Sequence, residues 1–114
     1  MILDDFRLDG RVAIVTGAGQ GIGRGIAIGL AEAGADVVIG ARTAADLEEV
    51  AAHVRETGRE AVPVVTDVLV EEDRRRLVDT ALERFGRIDV LVNNAGGTGP
   101  APRWRPPSDS STWR

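Results

Sequence analysis

The sequence predicts an α/β fold with a parallel sheet of about four strands, in the order 3-2-1-4, and three helices. Apolar segments that begin near residues 12, 36, 61 and 88 alternate with segments of helical periodicity. The spacing between these starts is nearly constant, so one strand-plus-helix unit repeats along the chain. Alternation of this kind is typical of a buried parallel sheet with helices on both faces. A glycine-rich turn after the first strand completes the pattern of a Rossmann-type half-domain.

The first unit consists of a strand over residues 12–15 and a helix from residue 21 to about 33. The strand is the apolar run Val-Ala-Ile-Val. Gly34 suits the end of the helix, because glycine readily adopts the backbone angles of a C-terminal cap. Helical spacing predicts one apolar face, made of Ile22, Ile26, Ala27 and Leu30.

The later units repeat this pattern. A strand over 36–41 precedes a helix that Thr43 can cap and that ends at Gly58. Pro63 favours an edge position for the third strand, over 61–66, because proline cannot donate to a sheet. A fourth strand spans 88–93. The third helix, over 71–85, is expected to bury an apolar face made of Leu77, Val78, Ala81, Leu82 and Phe85.

Residues 1–96 are predicted to form the half-domain, whereas residues 97–114 break its pattern. The last segment holds four of the five prolines, both tryptophans and every serine. Its composition predicts a disordered tail. The abrupt change after residue 96 also fits an out-of-frame reading of GC-rich coding DNA.

The composition excludes several classes of function. The chain has no cysteine, so disulfides and thiolate metal sites are excluded, and its single histidine indicates no metal site. A net charge of −4 argues against nucleic acid as a partner. No apolar run is long enough to cross a membrane. The acidic N-terminus does not resemble a secretory signal, so a cytoplasmic location is predicted.

The glycine-rich turn over residues 17–23 has the chemistry of a phosphate site. Gly17 lets the chain turn sharply off the strand. The absence of a side chain at Gly21 lets a pyrophosphate approach the backbone, and Gly23 lets the helix pack closely. The unpaired N–H groups at the helix start then face the anion. Glycines also form ordinary structural turns, but a strand before and a helix after this one favour dinucleotide binding.

With this loop, residues 6–96 resemble the classical short-chain dehydrogenase/reductase family. The resemblance rests on the entry into the first strand over residues 8–17 and on Gly-Ala-Gly-Gln-Gly-Ile-Gly over 17–23. It also rests on Asp67-Val68 after the third strand and on Asn-Asn-Ala-Gly over 93–96. Many nucleotide-binding folds share the glycine loop, whereas its combination with Asn-Asn-Ala-Gly at this distance is specific.

The resemblance implies a set of contacts to the cofactor. The glycine loop would cradle the pyrophosphate. Asp67 would accept a hydrogen bond from the adenine amino group, although it also suits a loop or helix cap, and the Val68 backbone would pair with the ring. Asn94 and Ala95 would lie against the ribose and nicotinamide, while Asn93 would bridge neighbouring strands. The predicted cofactor-binding residues are Gly17, Gly19, Gln20, Gly21, Ile22, Gly23, Arg42, Asp67, Val68, Asn94 and Ala95.

The residues at the end of the second strand indicate which dinucleotide is preferred. A carboxylate there would bind the ribose 2′-hydroxyl and repel a 2′-phosphate. This chain has Ala41 followed by Arg42, and arginine can bind a phosphate through two charge-assisted hydrogen bonds. NADP(H) is therefore predicted over NAD(H). The alternative is an exposed arginine that caps the end of the strand.

The family resemblance also implies a catalytic tyrosine, a lysine four residues later and a serine, all beyond the fourth strand. This chain contains no tyrosine and no lysine, so no catalytic residue is assigned. The predicted function is the N-terminal, NAD(P)(H)-binding portion of an oxidoreductase that acts on alcohols or ketones, inactive alone. The alternative is a non-catalytic NADP(H)-binding module that acts through a partner protein. The exposed edge of the fourth strand is expected to permit self-association.

Overall fold

A computed structural model describes residues 7–94. It confirms the predicted order of strands and helices, with the bounds shifted by two residues at most. Ala95 and the predicted tail over 97–114 lie outside the described residues. The elements are β1 (Val12–Thr16), α1 (Gly21–Glu32), β2 (Asp36–Ala41), α2 (Ala44–Glu56), β3 (Ala61–Val65), α3 (Glu71–Phe85) and β4 (Val90–Asn93).

The four strands form one parallel sheet in the order β3-β2-β1-β4, which confirms the predicted topology. Ile14 at the centre of β1 pairs with Val38 on one side and with Leu91 on the other. Pro63 pairs with Ile39 from the edge strand β3, as the missing N–H of proline requires.

The face of the sheet that carries α1 and α2 holds the larger part of the core. Right-handed connections from β1 to β2 and from β2 to β3 bring both helices to this face. Val90 and Val92 of β4 pack against its edge. The buried members of this cluster are Ala13, Val15, Ala18, Ala27, Ala31, Val37, Ile39, Leu47, Val50, Ala51, Val54 and Ala61.

The opposite face carries α3 and a smaller cluster, whose buried members are Ile14, Val38, Leu77 and Ala81. The prediction that Val78 and Leu82 are buried is wrong, because they are 38% and 46% exposed. Leu77 and Ala81 point at the sheet, whereas these two lie on a flank of α3 that no other described element covers. One helix therefore covers only part of this face.

At the amino ends of the strands, carboxylates close the sheet. Asp89 accepts hydrogen bonds from the Val12 N–H at 2.9 Å and from Arg87 Nη2 at 2.7 Å. The hydrogen bond from Arg87, followed by that from the Val12 N–H, lowers the pKa of Asp89 to about 2. Asp36 Oδ1 accepts from the N–H of Glu60 at 3.0 Å, which ties β2 to the start of β3.

Candidate functional site

A cleft of about 710 Å³ lies at the carboxyl ends of the strands. In open parallel sheets, ligands bind at this end, where the strand order reverses; here that point lies between β1 and β4. The cleft brings together four segments that are far apart in the sequence. They include Gly17, Gly19 and Gln20 of the glycine loop, Ala41, Arg42 and Thr43 after β2, Asp67 and Val68 after β3, and Asn93 and Asn94 at the end of β4.

The glycine loop has the geometry that its sequence predicts. Gly17 has a φ of +64°, which turns the chain off β1. A Cβ on Gly23 would collide with the carbonyl oxygen of Gly17 and would lie 2.7 Å from Asn94 Nδ2. A Cβ on Gly21 would meet nothing within 4 Å. Gly23 is therefore needed for packing inside the loop, whereas Gly21 leaves open space where a ligand can approach.

The first turn of α1 leaves its N–H groups without a carboxylate. Its N-cap, Gln20, makes no cap hydrogen bond through its side chain, and no acidic residue lies in the turn. In contrast, the first turn of α3 contains Glu71, Glu72 and Asp73. Because the N-terminus of a helix carries partial positive charge, the start of α1 is suited to an external anion.

Ile22 does not belong to the buried face of α1, so that prediction is wrong. Its side chain is 74% exposed, whereas Ala27 and Ala31 farther along the helix are buried. The first turn of α1 begins beyond the end of β1, where no described residue can cover an apolar side chain. Ile22 nevertheless remains in the loop that was predicted to bind the cofactor.

The two asparagines after β4 have different surroundings. Thr16 Oγ1 donates a hydrogen bond to Asn93 Oδ1 at 2.8 Å, which joins β1 to β4 at the floor of the cleft. The prediction that Asn93 bridges neighbouring strands is therefore confirmed. Asn94 is half-buried, and its amide lies beside the first turn of α1. No pattern in the sequence indicated this role for Thr16.

The turn after β3 leaves an acceptor and a donor next to each other. Asp67 Oδ1 accepts a hydrogen bond from the N–H of Leu69 at 2.9 Å. Asp67 therefore stabilises the loop, which is the alternative role given for it above. The N-cap of α3 is Val70. Within residues 7–94, Asp67 Oδ2 and the N–H of Val68 have no hydrogen-bond partner. Arg74 Nη1 donates to the Val68 carbonyl and thereby holds this turn against α3.

The segment after β2 exposes one cation and contains an acid that the sequence did not mark as a site residue. Arg42 is exposed and forms no ion pair within residues 7–94. Thr43 occupies the N-cap position of α2, as predicted, but its side chain makes no cap hydrogen bond. Asp46 lines the cleft and accepts a hydrogen bond from Gln20 Nε2 at 3.1 Å. Its place three residues after Thr43 indicated only a helix start.

Two further features concern metals and membranes. Residues 7–94 contain no group of three or more metal-ligating side chains. No helix in this part of the chain has the length and apolar character needed to cross a bilayer.

Comparisons with known proteins agree with this geometry. A family model described as short chain dehydrogenase matches residues 11–110. An uncharacterised oxidoreductase of Mycobacterium tuberculosis is 48% identical over 100 residues, which are 88% of this chain and 38% of that protein. The 7alpha-hydroxysteroid dehydrogenase of Escherichia coli K12 is 43% identical over 106 residues, or 93% of this chain and 42% of that protein.

A solved structure of 7 alpha-hydroxysteroid dehydrogenase, complexed with NADH and 7-oxo glycochenodeoxycholic acid, is similar with a TM-score of 0.81. It is 43% identical, and the match covers 93% of this chain and 42% of that one. The chain therefore spans about two fifths of the length of the curated relatives reported above.

Proposed function

The chain belongs to the short chain dehydrogenase family, and we propose that it is the N-terminal, NAD(P)(H)-binding portion of an oxidoreductase. The observation that carries this proposal is the open first turn of α1. There, Gly21 faces empty space, while Gly23 is packed against Gly17. A pyrophosphate at this turn would receive the free N–H groups and the positive end of the helix dipole.

The turn after β3 is proposed to bind adenine. The free Oδ2 of Asp67 can accept a hydrogen bond from the amino group of the base. The adjacent N–H of Val68 can donate to a ring nitrogen, because no described residue accepts from it. The Leu69 and Arg74 hydrogen bonds hold this acceptor–donor pair in place. Asn94 and Ala95 are proposed to contact the ribose and nicotinamide.

The proposed preference for NADP(H) rests on Arg42. Its guanidinium lines the cleft without a carboxylate partner within residues 7–94, so it is available for a 2′-phosphate. The similar hydroxysteroid dehydrogenase was solved with NADH. The choice between the two cofactors must therefore be measured on this chain.

The test is a titration of the purified full chain with NADPH and with NADH, followed by nucleotide fluorescence. We expect binding of both and a lower Kd for NADPH. Arg42→Asp should reverse that order, because it replaces the cation with the carboxylate that favours a 2′-hydroxyl. Arg59→Asp is the control, since Arg59 lies at the opposite end of the sheet. An unchanged ratio of dissociation constants in Arg42→Asp would contradict the NADP(H) assignment.

We also propose that the chain alone transfers no hydride. A bound nicotinamide cofactor would supply the hydride to such an oxidoreductase, and the residues of this chain would bind and orient that cofactor. A tyrosine acid needs a neighbouring cation because its ordinary pKa is about 10. This chain contains neither tyrosine nor lysine. Oxidation of NADPH above background, measured by absorbance with a panel of ketones, would contradict this proposal.

A second candidate is a non-catalytic NADP(H)-binding module that acts through a partner. Within residues 7–94, β4 pairs only with β1, and Leu91 in the middle of β4 is 45% exposed. Self-association through this edge is therefore proposed as one form of such a contact. Light scattering of the purified chain, with and without NADPH, tests it. A discrete complex that binds NADPH favours the module, whereas a monomer argues against self-association. A cytoplasmic location stays a prediction, to be tested by cell fractionation.

A further inference from the structure

We propose that Asp46 is a second determinant of cofactor choice, which opposes Arg42 at the ribose of the adenosine. This inference rests on the proposed dinucleotide site and adds a residue to it. Arg42 favours a 2′-phosphate. Asp46 disfavours the same phosphate and can accept a hydrogen bond from a 2′-hydroxyl, so NADH retains a favourable contact.

The position of Asp46 supports this role. A Cβ on Gly19 would lie 3.0 Å from Asp46 Cβ and 3.4 Å from Ala41 Cβ. Asp46 therefore lies at the corner where the glycine loop meets the end of β2. A dinucleotide whose pyrophosphate lies on the loop and whose adenine lies at Asp67 must carry its ribose past this corner. Asp46 is half-buried and lines the cleft there.

The charge of Asp46 is available to a ligand. Its described hydrogen bond comes from Gln20 Nε2, which is neutral, at 3.1 Å. Arg42 lies beyond ion-pair distance, since no ion pair within residues 7–94 joins the two. Arg24, in the first turns of α1, is neutralised by an ion pair with Glu49 at 3.0 Å. Arg74 also lines the cleft, but it donates to the Val68 carbonyl on the far side, at the turn after β3. A 2′-phosphate at the corner would thus meet the Arg42 guanidinium and the unneutralised Asp46 carboxylate.

Asp46 also has a structural role that must be separated from this one. It is the acidic residue of the first turn of α2, where a carboxylate stabilises the helix dipole. The structural role affects the free energy of unfolding and does not depend on the 2′ substituent of the ligand. The proposed role changes the ratio of two dissociation constants, so the measurement must report that ratio.

The experiment compares 2′,5′-ADP with 5′-AMP, which differ only in the 2′-phosphate, and NADPH with NADH. Asp46→Asn removes the charge and keeps an oxygen that can accept from Gln20. We expect it to shift both ratios about threefold to tenfold toward the ligand with the 2′-phosphate, because a unit charge within several ångströms has an effect of this order. Asp46→Ser, which is also neutral and tolerated near a helix start, provides a second variant.

Two controls isolate the charge. Glu48→Gln makes the same charge change on α2, at an exposed residue that does not line the cleft, so both ratios should stay within about twofold. Gln20→Ala removes the hydrogen bond to Asp46 but leaves its charge, and it should weaken all four ligands alike. Each variant is checked by circular dichroism and urea unfolding.

The outcomes distinguish this inference from the proposed function. If the wild-type chain binds none of the four ligands, the dinucleotide site and the role of Asp46 are both overturned. If it binds them, and the folded Asp46→Asn and Asp46→Ser variants keep the wild-type ratios, only the role of Asp46 is overturned. The carboxylate would then act as a helix-stabilising residue alone.

Discussion

The two ends of the parallel sheet differ in whether their charged groups are paired within the described residues. At the amino ends, Asp89 accepts from a backbone N–H and from Arg87, and Asp36 accepts from another N–H. At the carboxyl ends, the first turn of α1 contains no acid, and Arg42 has no ion-pair partner within residues 7–94.

This difference separates residues that hold the fold from residues that are available to a ligand. A polar group that is already paired contributes to folding, whereas an unpaired one at a cleft can pair with a ligand. Both ends of α1 show the same contrast. Its first turn faces the cleft without a cap from a side chain, whereas Gly34 follows its last turn and donates to the Ala31 carbonyl at 2.9 Å. The variants below test the contrast, from the largest expected effect to the smallest.

Gly23→Ala should have the largest effect on the cleft at the carboxyl ends of the strands. The added Cβ meets the Gly17 carbonyl oxygen, which belongs to the glycine loop, and the Asn94 amide, which follows β4. Overpacking typically destabilises by about 1–3 kcal/mol, so we expect the loop to shift and NADPH affinity to fall about tenfold to a hundredfold. Titration of the nucleotide and urea unfolding measure the two effects.

Gly29→Ala is the matched control, because it makes the same change in the same helix. A Cβ there would meet nothing within 4 Å. The substitution should stabilise the chain by about 0.5–1 kcal/mol, since alanine favours the helix, and leave the Kd unchanged. Equal losses of affinity in both glycine variants would show that the close packing at Gly23 is not what the site requires.

Ile22→Glu adds an acidic residue to the first turn of α1, where α3 already has three. Because Ile22 is 74% exposed, the new carboxylate can reach the free N–H groups of the turn. It should stabilise the helix by about 0.3–1 kcal/mol. It should also weaken NADPH binding about tenfold by repelling the pyrophosphate. Ile22→Gln controls for the loss of the apolar side chain, and undiminished binding by Ile22→Glu would argue against an anion site here.

Asp89→Asn tests the contacts at the amino ends of the strands by the pH dependence of the stability. The folded pKa of Asp89 is lowered to about 2, whereas an unfolded aspartate titrates near 3.9. The ionised carboxylate therefore stabilises the fold above about pH 4, and this contribution is lost as the pH falls toward 2. Urea unfolding should show wild type more stable than Asp89→Asn at pH 7, with the difference shrinking between pH 4 and 2.

Asp79→Asn is the control for that experiment, because Asp79 is an exposed aspartate of α3 with no hydrogen bond from another side chain. Its unfolding over the same pH range shows how far the removal of a carboxylate without such hydrogen bonds changes the stability. If the difference in stability between wild type and Asp89→Asn does not change with pH, then the hydrogen bonds to Asp89 do not favour its ionised form.

Arg84→Ala should have the smallest effect. Arg84 Nη2 lies 3.3 Å from Glu60 Oε1, and both side chains are 56% exposed. Exposed ion pairs contribute between about 0 and 1 kcal/mol, so unfolding by urea should change within that range. A larger loss would show that the amino ends depend on surface charge as well as on Asp89 and Asp36.

The sequence predicted the elements better than it predicted the burial of particular side chains. Apolar runs and glycines located every strand and helix, because hydrophobic period and turn chemistry are local properties. Helical spacing also assigned Ile22, Val78 and Leu82 to buried faces, and all three are exposed. Periodicity identifies the apolar side of a helix, but it does not say how far the neighbouring strands extend beneath it.

By itself, the sequence determined the order of strands, the glycine loop and the family, since these depend on residue types at short, fixed spacings. Only the tertiary structure decided which distant residues meet at the cleft. Asp46 lies 26 positions from Gln20, yet the crossover from β1 through α1 to β2 brings their side chains within hydrogen-bonding distance. Thr16 and Asn93 are 77 positions apart, and their side chains form a hydrogen bond at the floor of the cleft. Such contacts arise because parallel strands bring all their carboxyl ends to one edge of the sheet.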